Sequence, residues 1–165
     1  MNHTIQFEIN SNIPFFMKAI IQRVSSASVS INGNTVGAIS TGLLILLGIA
    51  PDDDNKDGDY LIQKITQMRI FSDSDGKMNR SVLDVEGEIL VVSQFTLFAE
   101  TKKGNRPSFI KSAPPDVAKE KYLQWVEQLK TQYPFKIATG EFGADMQVSL
   151  VNDGPVTISI DSKNP

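Results

Sequence analysis

No cysteine occurs anywhere in the 165 residues, and the single histidine, His3, stands close to the amino terminus. The first absence removes disulfide frameworks, thiolate nucleophiles and cysteine-ligated zinc, and it suits a protein of the reducing cytoplasm. The second leaves the body of the chain without an imidazole, so Ser-His-Asp triads and histidine-metal chemistry are excluded there. Any hydrolysis must draw on hydroxyls, carboxylates, backbone dipoles or groups of the substrate itself. Long apolar runs are missing too. None approaches the roughly 20 residues that span a bilayer, so no membrane partner is expected. With a net charge of −3 the chain has no broad basic coat for a phosphate backbone, and any nucleic-acid contact has to be local.

What is present reads as an ordinary globular chain, 41% hydrophobic and 21% charged, which excludes collagen-like, fibrous and disordered classes. No repeat, low-complexity tract or Pro/Gly-rich linker divides it. Residues 1–16 carry no lysine or arginine, include Glu8, and match neither a signal nor a transit peptide. They are expected to form a loose extension ahead of one domain, 17–165.

From Met17 the run MKAIIQRVSSASVSI has strand character and divides into two predicted strands, and Asn32-Gly33 is a hairpin signal before a third. Gly42 to Ala50 is a continuous apolar run that suits a central strand buried on both faces. Asp52, Asp53 and Asp54 supply N-cap and first-turn acids for a helix over roughly Gly58 to Ile70. The three acids lack the spaced ligands and turn glycine of a calcium loop, so no metal is assigned. Ile89 to Val92 is a further buried strand, and Ser93-Gln94-Phe95-Thr96-Leu97 continues it with alternating polar groups that either face a site or satisfy neighbouring backbone. Lys102, Lys103 and Arg106 form the densest positive cluster, in a loop that is either solvated or a holder of phosphates. Pro114-Pro115 opens a helix to about Gln132 with a core stripe of Ala118, Tyr122, Trp125 and Leu129, and a short strand follows at Phe135 and Ile137.

The last stretch, VSLVNDGPVTISI from Val148 to Ile160, holds two alternating runs hinged on Asn152, Asp153, Gly154 and Pro155. Proline gives no N–H and glycine tolerates unusual backbone angles, so the hinge must turn or bulge. On its own it reads as a hairpin turn.

Three separated pieces, MKAIIQRV at Met17, SQFTL at Ser93 and NDGPVT at Asn152, together resemble the D-aminoacyl-tRNA deacylase family, and GEFGADMQV from Gly140 is similar to it as well. The resemblance spans Met17 to about Asp161. It implies an α+β fold, mainly a β barrel-like or sandwich-like single domain with flanking helices, acting as a homodimer on the acceptor end of aminoacyl-tRNA. By that resemblance Ser93, Gln94, Phe95 and Thr96 line the reaction centre. Gly154 and Pro155, joined by a cis peptide and oriented by Arg23, would enter the partner's site and exclude L side chains by clash. Phe142 and Met146 would enclose the terminal adenosine. Such a filter rejects rather than recognises, so it predicts tolerance of many D side chains and some acceptance of glycine. Thr96 has no obvious base beside it and is taken as a positioning group, with the substrate 2′-hydroxyl assisting water. No cofactor is expected. An L-selective editing relative and a non-catalytic RNA-end binder are the competing readings, and Phe95 in SQFTL and Val156 in NDGPVT favour the D-selective branch.

Overall fold

The first strand, β1 (Lys18–Ile31), explains the architecture, because its buried residues do not keep one alternation. Ala19 and Ile21 are buried two apart, then Val24 and Ala27 follow at three-residue steps before Val29 resumes the period of two. The step from Ile21 to Val24 moves the inward face to the other side of the strand, and the step from Val24 to Ala27 crosses a second register shift against β8 that keeps both residues on the same side. Ala19 and Ile21 accordingly belong to one hydrophobic core and Val24, Ala27 and Val29 to a second. The predicted pair of strands is therefore a single strand serving two cores. In the computed structural model, residues 17–164 are described; the expected extension at 1–16 lies outside them.

Asn32 and Gly33, with φ of 50° and 79°, turn the chain into β2 (Asn34–Ile39), which pairs with the second half of β1. The first half pairs with β3 (Gly42–Gly48), the apolar run expected at the centre. Parallel to β3 lies β6 (Glu88–Ser93), and parallel to β6 lies β7 (Ile137–Thr139). A Cβ on Gly37 of β2 would stand 2.6 Å from the Thr139 carbonyl oxygen, so the sheet curls until β2 meets β7. The result is a nearly closed, barrel-like sheet. A small side ribbon joins β4 (Phe71–Ser72) to β5 (Met78–Arg80).

The first helix, α1 (Asn55–Gln67), starts three residues before the predicted boundary because Asp54 and Asp57 form a reciprocal capping box. Asp53 plays a different part: its buried carboxylate accepts the Ala50 N–H at 2.6 Å. Pro115 stands at the first position of α2 (Pro115–Gln132), whose expected stripe is buried. Leu61, Ile62 and Ile65 of α1 join Tyr122, Trp125 and Leu129 of α2 against the first core. The Tyr122 hydroxyl donates to the Val91 carbonyl at 3.1 Å and fixes α2 to β6.

The hairpin predicted at Asn152 to Pro155 is not formed. β8 (Gln147–Asp161) runs through the hinge, and both of its halves pair antiparallel with β1. Gln22 faces Thr157 and Val24 faces Asn152, so two residues of β1 match five along β8, and the surplus is pushed out as a loop. Partly buried Val148 on one side and Val156, Ile158 and Ile160 on the other pack against the cores and hold the halves in register with β1, which outweighs the local preference for reversal.

Candidate functional site

Where β6 ends, the chain departs from the alternation foreseen for SQFTL. Gln94 N–H donates to the Leu47 carbonyl at 2.8 Å as the last ladder bond, and Phe95–Phe98 then wind into one 3₁₀ turn. The turn closes with Leu97 N–H on the Gln94 carbonyl, so the N–H groups of Phe95 and Thr96 have no acceptor within the turn. The Gln94 amide donates to Thr96 Oγ1. That bond occupies a lone pair of the hydroxyl and holds its orientation without removing its proton.

Beside this turn opens a cavity of about 630 Å³. Ser93, Gln94 and Phe95 form one side of it, Phe142 and Met146 another, while Pro114, Pro115 and Ala118 bring in the start of α2. The volume and largely apolar lining suit an aminoacyl group or a nucleobase. Five of the predicted site residues are thus brought together from segments some 50 residues apart. Thr96 reaches the site through Gln94 and is not itself part of the lining. Among the described residues, no Asp, Glu, Lys or His lines the cavity. Tyr122, whose ring lies 5.7 Å from that of Phe142, has its hydroxyl pushed up to about 12 by burial and remains a fixed donor.

Sequence reasoning missed Phe109, Ser112 and Ala113, which also line the cavity. Their signal was weak: they follow the basic loop and precede Pro114-Pro115, and only the anchoring of Ala113 N–H on the Ile49 carbonyl at 3.1 Å brings them to the strand ends.

Arg23, Gly154 and Pro155 do not line this cavity. The Gly154–Pro155 peptide is cis, Gly154 has φ of 138°, and both residues are exposed. Behind the turn Arg23 is nearly buried, and its Nε donates to the Asp153 carbonyl at 2.9 Å while Nη1 donates to the Ile70 carbonyl at 2.6 Å. Its ion pair with the Asp153 carboxylate, at 3.4 Å, adds a second hold on the same residue. Asn152 Oδ1 accepts Val156 N–H at 2.8 Å, and its amide donates to Thr157 Oγ1 at 3.0 Å. A Cβ on Gly154 would lie 2.9 Å from Val156 N and 3.2 Å from Arg23 Nη2, so the turn leaves no room for a side chain there.

Residues 20–161 match the family model described as D-Tyr-tRNA(Tyr) deacylase. A curated D-aminoacyl-tRNA deacylase of Thermosipho africanus is 57% identical over 147 residues, covering 89% of this chain and 98% of that protein. Among solved structures, one described as c-Myc DNA Unwinding Element Binding Protein is 44% identical and superposes with a TM-score of 0.83 over 87% of this chain and 97% of its own. A probable eukaryotic D-amino acid tRNA deacylase, 17% identical, shares the fold with a TM-score of 0.71 over 88% of this chain and 99% of that one.

Proposed function

Because the chain belongs to the D-Tyr-tRNA(Tyr) deacylase family, we propose that it is a cytoplasmic proofreading hydrolase that cleaves the ester of D-aminoacyl-tRNA and spares the L form. The observation that carries the chemistry is a cavity of substrate size whose lining offers no titratable side chain. A protein base is then not the source of the attacking hydroxide equivalent. The terminal ribose 2′-hydroxyl assists water as it attacks the ester carbonyl carbon. The bond to the 3′ oxygen breaks, that oxygen takes a proton, and the amino acid leaves as its acid.

The chain's own part is placement. The free N–H groups of Phe95 and Thr96 lie where a developing oxyanion can be held, with the Gln94 amide fixing Thr96 alongside. Phe142 and Met146 enclose the terminal adenosine. Gly154 and Pro155, exposed on one protomer and braced by Arg23, enter the cavity of a second copy and exclude an L side chain. Glycine escapes this filter, so mischarged glycyl-tRNA is a second substrate.

Hydrolysis of matched D- and L-tyrosyl-tRNA by the purified protein tests the reading, with glycyl-tRNA alongside. Rapid loss of the D ester with the L ester spared is expected. Cleavage of the L ester alone would instead make this an L-selective relative. Tight binding without cleavage would make it a non-catalytic module that binds the tRNA acceptor end.

A further inference from the structure

The outer rim of the cavity has a composition that its fold does not require. Ser112 N–H donates to the Phe109 carbonyl at 3.0 Å, closing a turn whose two ends both line the cavity. Ile110 stands at the corner of that turn and is 82% exposed, the most exposed large apolar residue described. Turn corners ordinarily carry proline or polar residues, and a lone exposed isoleucine would call for no explanation. Here it has company. Phe95, 53% exposed, stands beside the turn, with its ring centroid 5.2 Å from that of Phe109 in an edge-to-face contact.

The rim is also held still. Ala113 N–H is bonded to the Ile49 carbonyl at 3.1 Å, and Glu100 and Ser108 exchange backbone bonds of 2.8 and 2.9 Å at the base of the preceding loop. That loop presents Lys102, Lys103 and Arg106, all exposed and with no carboxylate within ion-pair distance among the described residues, whereas Lys111 is paired with Glu100 at 3.4 Å. Apolar side chains at a fixed opening beside uncommitted cations match a single-stranded nucleic acid, which offers base faces and phosphates in alternation.

We propose that Phe95, Phe109 and Ile110 form a stacking rim for the unpaired nucleotides preceding the terminal adenosine, with Lys102, Lys103 and Arg106 against their phosphates. This deepens, and rests on, the reading of the cavity as the site for the aminoacylated adenosine. The rim binds bases by their faces, so it serves any tRNA sharing the same unpaired end and confers no preference for one amino acid.

The test compares Ile110→Asp, Ile110→Leu and the unaltered protein on three substrates: D-tyrosyl-tRNA, the same tRNA with abasic nucleotides at the two positions before the terminal adenosine, and D-tyrosyl-adenosine. Ile110→Asp is expected to lower kcat/KM on the tRNA about 10-fold, through KM, while leaving D-tyrosyl-adenosine unaffected. Ile110→Leu restores the rate, and abasic tRNA reduces the unaltered protein to the level of Ile110→Asp with no further loss in the variant. Equal loss on tRNA and adenosine ester, or no loss on either, overturns the rim. Affinity for uncharged normal and abasic tRNA, measured in parallel, reads the same coupling without chemistry. If the unaltered protein cleaves none of the esters, the deacylase reading falls by itself, and these affinities still decide the rim.

Discussion

The cavity and the Gly154–Pro155 loop are both at strand irregularities, yet they are built in opposite ways. The cavity is recessed, largely apolar, and assembled from β6, the 3₁₀ turn, the start of α2 and the segment around Phe142. The loop is a protrusion whose order comes from behind, where Arg23 and Asn152 bind its backbone. One has volume without an element that could distinguish handedness; the other has a fixed shape without a pocket. Within the one chain the two do not meet. Function on the proposed terms therefore needs a cavity from one copy and a loop from another.

The sharpest way to break that division is to disable each side separately. Arg23→Ala removes the hydrogen bond and ion pair by which Arg23 holds Asp153 of the loop, together with the anchor of Arg23 on the Ile70 carbonyl, and is expected to reduce kcat/KM on D-tyrosyl-tRNA about 100-fold, the scale of a displaced positioning element. Ser93→Phe fills the cavity and should be inactive. If each site draws on two copies, mixing the two defective proteins restores activity through hybrid dimers, whose one intact site joins a normal cavity to a normal loop. A mixture as inactive as its components would show that cavity and loop act within one chain or not together.

A smaller effect is expected at Thr96. Because Gln94 orients the hydroxyl and no base stands beside it, Thr96→Val should change kcat by less than about 10-fold, below the contribution of a proton-transfer group. Loss of turnover in a folded variant that still binds tRNA would give Thr96 a chemical role.

The mildest change concerns Asp53, the buried acid ahead of α1. Burial pushes the Asp53 carboxyl from 3.8 up to about 7, against the easing effect of the Ala50 N–H. The folded protein then holds a proton that the unfolded chain releases, so stability should fall as pH rises from about 4 to about 7. Asp53→Asn, followed by thermal unfolding across that range, should flatten this part of the profile; an unchanged profile would place the slope elsewhere. Asp54, one residue on, moves the opposite way, because the N–H of Asp57 stabilises its charged form.

These neighbours mark what a sequence can and cannot disclose. Asp54 was readable as a cap because capping is local, and Pro115 and the α2 stripe were readable for the same reason. Motif resemblance brought Ser93, Gln94, Phe95, Phe142 and Met146 to the cavity across long separations that periodicity alone does not bridge. The 3₁₀ turn after Ser93 was hidden, since an alternating SQFTL is equally compatible with a strand. The continuity of β8 was hidden for a nonlocal reason: Asn-Asp-Gly-Pro favours reversal, and only pairing of both flanks with β1 prevents it. Phe109 and Ile110 carried no periodic or motif signal, because their position depends on a loop pinned at its ends.

The pairing of β1 with β8 also sets the order in which the molecule can be completed during synthesis. Of the partners of β1, β2 and β3 leave the ribosome soon after it, whereas β8 follows some 130 residues downstream. Until β8 has emerged, β1 has an open edge able to join a neighbouring nascent chain. Chains still short of β8 therefore present a β template to one another, and the arrival of β8 is what closes it.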